Sequence, residues 1–122
     1  MATASPQPRI KLSKLRDIGW RLWDPIGLLH QDGQPAGTWD SEANQDFADE
    51  YDAYLMAAAS ALRRGRPAAQ VIDDLVRIES DHMGLGTGPT TAARAKAVVA
   101  AILADPAIWT WPDGKGQFGQ DR

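Results

Sequence analysis

The chain has 122 residues, 43% of them hydrophobic and 24% charged, with a net charge of −3 and no cysteine. This is an ordinary single-domain size with enough apolar content for one core. The acidic balance argues against non-specific nucleic-acid binding, which needs a basic surface, and the lack of cysteine excludes disulfide and thiol chemistry.

From the N-terminus, residues 1–9 (MATASPQPR) are polar with two prolines and read as a disordered lead, without the apolar run of a secretory signal. A helix is predicted over residues 13–23, capped at Ser13, with Leu12, Leu15, Ile18, Leu22 and Trp23 on one face and Trp20 off it. Pro25 disfavours the helical conformation at Asp24 and ends it. Residues 26–39, which include DGQPAG, read as a loop.

A second helix begins between Asp40 and Asp46 and ends at Arg64, with Gly65 placed to close it. Its apolar stripe holds Phe47, Tyr51, Tyr54, Leu55, Ala58 and Leu62, while Asp46, Asp49, Glu50 and Asp52 fall outside it. A third helix runs from Pro67 to Met83 before Gly84, with Leu85 set to cover its end. After the turn GLGTGP a fourth runs from Thr90 or Thr91 to about Ala104, with Ala95, Val98, Val99, Ile102 and Leu103 inward. Asp105 and Pro106 stop it, and residues 106–122 read as a polar, partly disordered tail.

No window alternates well enough to propose a sheet. The expected fold is all-α, an antiparallel bundle of about four helices in one domain over residues 10–105. No segment approaches the roughly 18 apolar residues of a membrane span, so a cytoplasmic protein is expected.

The third helix carries an anomaly. With Ala68 at 0° and about 100° per residue, its apolar residues cover an arc from roughly 280° through 0° to 80°. Glu79 falls near 20° and His82 near 320°, so both are expected to face the core. A buried ionisable group needs partners, because an uncompensated buried charge costs several kcal/mol. The expected partners are backbone or indole N–H groups of the corner Trp23-Asp24-Pro25-Ile26-Gly27, with Tyr51 close by. Glu-x-x-His is also the spacing of di-iron bundles, and Glu50 could add a ligand. A dinuclear site needs two such motifs, however, and His30 lies in the loop without one. No metal or other cofactor is therefore assigned.

Between Leu22 and Leu62 there are eight Asp and Glu residues and no Lys or Arg. The plain reading is a solvated face, partly neutralised by the basic first helix. The sharper reading is a surface for a basic protein partner, using Asp46, Asp49, Glu50, Asp52 and Tyr54. GLGTGP lacks the Gly-Lys-Ser/Thr ending of a phosphate loop, and Ser and His are too scattered for a nucleophilic triad. Catalysis is not expected, and the sequence leaves the oligomeric state open.

Three segments together, Trp23-Asp24-Pro25-Ile26-Gly27, Asp49-Glu50-Tyr51-Asp52-Ala53-Tyr54 and Ile78-Glu79-Ser80-Asp81-His82-Met83-Gly84-Leu85, resemble a largely uncharacterised group of short bacterial helical proteins. The resemblance spans roughly residues 15–104. It implies an all-helical fold without established enzyme activity, and some similar small acidic proteins are thought to neutralise toxins, as immunity proteins do. The leading expectation is therefore a non-catalytic binding protein of that kind. The alternative is a small-ligand or metal-binding protein, or an enzyme, using Glu79 and His82.

Overall fold

The structure, a computed structural model, describes residues 8–26 and 39–111. The lead over residues 1–7, the loop over 27–38 with His30, and the tail from 112 onward lie outside the described residues.

Helix α1 (Leu12–Leu22) is capped at Lys11, two residues before the expected cap Ser13, and buries Leu15 and Ile18 as its periodicity demands. Gly19 is buried too, and a Cβ there would collide with the Leu55 side chain. That collision explains why glycine stands where α1 crosses its neighbour. The helix stops as expected at the proline corner. There the Trp23 and Asp24 amides both donate to the Gly19 carbonyl, and Asp24 takes a φ of +31°, uncommon for any residue but glycine.

The predicted second helix is divided. A 3₁₀ segment (Glu42–Phe47) and a turn precede helix α2 (Asp52–Arg63). α2 ends in a Schellman motif, with Arg66 N–H donating to the Ala61 carbonyl, Gly65 N–H to that of Leu62, and Gly65 at φ +93°.

Helix α3 (Ala68–Arg77) follows Pro67 and runs into a π turn (Ile78–His82), where Met83 N–H donates to the Ile78 carbonyl at 2.8 Å. Leu85, expected to cover this end, is exposed. Helix α4 (Thr91–Ala104) buries Ala95, Val98, Val99 and Ile102. Leu103, the fifth residue assigned to that face, is 60% exposed, since it lies at the outer edge of the stripe.

The bundle closes on itself: α1 packs on α2 and α4, and α3 packs on the same two. The all-α fold expected from the helical periodicities is the one formed. No helix among the described residues is long and apolar enough to cross a membrane.

One element was not foreseen. A 3₁₀ turn (Pro106–Ile108) leads to strand β2 (Trp109–Thr110), which pairs antiparallel with strand β1 (Arg9–Ile10). Ile108 is fully buried in the core. Polar, glycine-rich composition assigned residues 106–110 to the tail, but the isolated apolar residues Ile108 and Trp109 draw them into the fold. A two-residue strand is too short to show alternation.

Candidate functional site

Three clusters surround the anomalies in the sequence. The first is centred on Glu79, which is 4% exposed. Its carboxylate accepts two hydrogen bonds from Arg94, Nη1 to Oε1 at 2.7 Å and Nη2 to Oε2 at 2.8 Å. The Thr91 hydroxyl donates to Oε2 at 3.0 Å and accepts from the Gly88 amide at 2.8 Å. Arg94 Nη1 also reaches the Trp23 carbonyl at 3.3 Å, and its Nε donates to Thr90 Oγ1.

Glu79 is therefore buried and tied to the proline corner, but through α4 and not through backbone or indole donors. The Trp23 indole N–H, one of the expected donors, is buried without an acceptor among the described residues. Sequence reasoning missed Arg94. The available signal was a lone arginine beside Ala95 on a mostly apolar helix, together with a buried carboxylate in need of a fork-shaped cation.

His82 corrects the expectation that it faces inward, because it is exposed. In a π turn the chain advances by about 85° per residue instead of about 100°. Over the three steps from Glu79, His82 is thus turned back by roughly 45° and leaves the apolar arc. Its ring meets the edge of Tyr54 at 5.7 Å, and together with Arg77, Ile78 and Asp81 the two line an open cleft. Glu79 and His82 share no ligand set, since both Glu79 oxygens are already engaged. No group of three or more His, Asp or Glu side chains that could hold a metal converges among the described residues.

The second cluster joins α1 to α2. Tyr51, fully buried, donates its hydroxyl to Asp24 Oδ1 at 2.7 Å and accepts from the Ile26 amide at 3.1 Å. Its ring packs at a tilt between Trp20 and Trp23, with centroids 4.6 and 5.5 Å away. Burial, and then the Asp24 carboxylate, push the Tyr51 hydroxyl far above the usual tyrosine range. The folded pKa lies above the unfolded value of about 10, so the stabilisation is whole below pH ~10 and is lost as pH rises beyond it. Denaturant titrations above pH ~10 should show the wild type losing stability by up to about 1.4 kcal/mol per pH unit, more steeply than Tyr51→Phe.

The third cluster is the acidic surface. Asp46, Asp49 and Glu50 are exposed and make no side-chain hydrogen bond or ion pair among the described residues. Asp52 stands apart from them: Arg16 grips it bidentately at 3.0 and 2.7 Å, and both side chains are about four-fifths buried. Helix α1 thus neutralises one of the candidate carboxylates, and Arg16 also lies against the Trp39 ring. Tyr54 is half-buried against Trp23 and His82, beside the cleft.

The segment that carries Asp46 and Asp49 is anchored by Trp20. Contrary to the reading that placed it off the apolar face, Trp20 is 2% exposed. Its Nε1–H donates to the Ala48 carbonyl at 3.2 Å and its ring packs on Phe47. The 3₁₀ segment covers that flank of α1, which an isolated helical wheel cannot show.

Comparison of the chain with protein-family models, curated proteins and solved structures finds no match.

Proposed function

We propose that this chain is a non-catalytic, cytoplasmic binding protein whose surface at Asp46, Asp49 and Glu50 engages a basic protein partner, as an immunity protein engages a toxin. The observation that carries the reading is a set of three exposed carboxylates that make no side-chain hydrogen bond or ion pair among the described residues, on a backbone held by the buried Trp20. Opposed potentials accelerate association and select partners, and a fixed backbone lowers the ordering cost of binding. The resemblance of the Trp23–Gly27, Asp49–Tyr54 and Ile78–Leu85 segments to short bacterial helical proteins points the same way.

The test is capture from native cells by the tagged wild type and by Asp46→Asn/Asp49→Asn/Glu50→Gln, with bound proteins identified by mass spectrometry. A basic protein held by the wild type, lost from the variant and released by high salt is the expected result. Capture by both, or release indifferent to salt, would overturn the reading.

A second reading rests on the π turn, since such turns often mark functional sites. It places a small ligand in the cleft between Tyr54 and His82. Ligand-induced shifts of the His82 ring resonances, abolished by Tyr54→Ala, would support it.

A further inference from the structure

The outward face of α2 is unlike that of an ordinary surface helix. From Ala53 to Leu62 the chain carries no charged residue. Leu55, Ala58 and Ala59 are buried on one side. On the other, Ala53 and Ala57 are exposed, Met56 is 41% exposed and Ser60 is half-buried. At about 100° per residue the residues Ala53, Met56, Ala57 and Ser60 form one stripe roughly 100° wide, opposite Leu55 and Leu62. A helix that is apolar all round is normally covered.

The two ends of the stripe differ in charge. Asp49 and Glu50 stand in the turn that leads into α2, and the exposed Arg64 stands at its far end.

We infer that this face is covered by a second copy of the chain, packed antiparallel along α2 about a twofold axis near Met56 and Ala57. These two residues lie midway between Glu50 and Arg64, so antiparallel pairing sets each Glu50 against the Arg64 of the other copy. The pattern is self-complementary, as a closed twofold interface requires. A parallel arrangement would oppose like charges, and a uniformly basic partner would meet Arg64. A partner of reversed polarity fits the whole stripe, and this chain carries that polarity itself. Alanine at positions 53 and 57 lets the helices approach to about 8 Å, the close limit of helix packing. Helix α2, with 12 residues, is only about 18 Å long, so the contact is small and the dimer weak.

The inference rests on the acidic surface being a binding surface, and it adds that a second copy occupies part of it. Sedimentation equilibrium of the full chain over a concentration series is the test. A monomer–dimer equilibrium weakened at least about tenfold at high salt is expected. Met56→Glu should abolish it without changing helix content or the thermal midpoint. Glu50→Arg and Arg64→Glu should each weaken self-association about tenfold or more. An equimolar mixture of those two variants should restore it, because every oppositely charged contact is then re-formed.

A wild type that stays monomeric, a dimer indifferent to Met56→Glu, or a mixture that fails to re-associate would each overturn the proposal. So would a monomer whose Met56 resists oxidation, which would assign the face to residues 27–38 or 112–122 of the same chain. If the wild type is monomeric but the acidic residues still capture a basic protein, the dimer falls and the proposed function stands.

Discussion

Replacing Arg94 by methionine is expected to lower the stability of the fold by about 3–5 kcal/mol, measured by urea unfolding. The size follows from what is left behind. Glu79, with its side chain 5% exposed, would keep only the Thr91 hydroxyl and lose both charged donors. A buried carboxylate stripped of its cation is among the most destabilising local defects. The reciprocal change, Glu79→Met, should cost less, because the Arg94 side chain is 27% exposed and its freed guanidinium can turn toward water. The double substitution should recover much of the loss, since two apolar side chains of similar size remove the desolvation penalty together with the pair. A loss below about 1 kcal/mol for Arg94→Met would show that Glu79 finds other donors, and that the clasp between α4 and the π turn is incidental.

Trp20→Ala is the second change with a large expected effect, about 3–5 kcal/mol. It removes an indole that is 2% exposed, two aromatic contacts and the hydrogen bond to the Ala48 carbonyl. Its local consequence separates it from a generic core defect. Residues 42–50 form a 3₁₀ segment and a turn closed by short i→i−3 bonds of poorer geometry than those of an α-helix, among them Asn44 N–H to the Ser41 carbonyl and Glu50 N–H to that of Phe47. Hydrogen exchange should therefore quicken there first, while the amides of α3 and α4 keep their protection. Uniform loss of protection across the chain would instead place Trp20 in the global core alone. On the proposed function, the same variant should bind its partner more weakly than its remaining folded fraction accounts for, because the carboxylates of Asp46 and Asp49 would lose their fixed positions.

Much of the fold was legible because four amphipathic periods and their stop signals act locally. The proline corner after Trp23, Gly65 in its left-handed cap and the inward faces of α3 and α4 follow from sterics and spacing within a few residues. What escaped depended on events away from the segment being read. Trp20 left its own helix's stripe because another element lies over it, and that element is a 3₁₀ segment without a helical period. Residues 106–110 joined the domain because Ile108 fits a hole in the core, which composition cannot reveal.

The candidate site divides along the same line. Glu79 was placed correctly because its angular position was central in the apolar arc and survived the local change in pitch. His82 was misplaced because i→i+5 hydrogen bonding resets the register, and nothing in Ile78-Glu79-Ser80-Asp81-His82 announces it. Arg94 went unseen because its role becomes visible only once α4 is laid against the π turn, with Thr91 one turn before it.

The ribbon of β1 and β2 has a kinetic consequence. Roughly a hundred residues of chain lie between Ile10 and its partner Trp109, and loop-closure entropy over that distance opposes the contact before any reward is gained. Helices whose neighbours are close in sequence can assemble ahead of it. The two-residue clasp is therefore among the last contacts to close during folding and among the first to fray on warming, leaving the four helices still assembled.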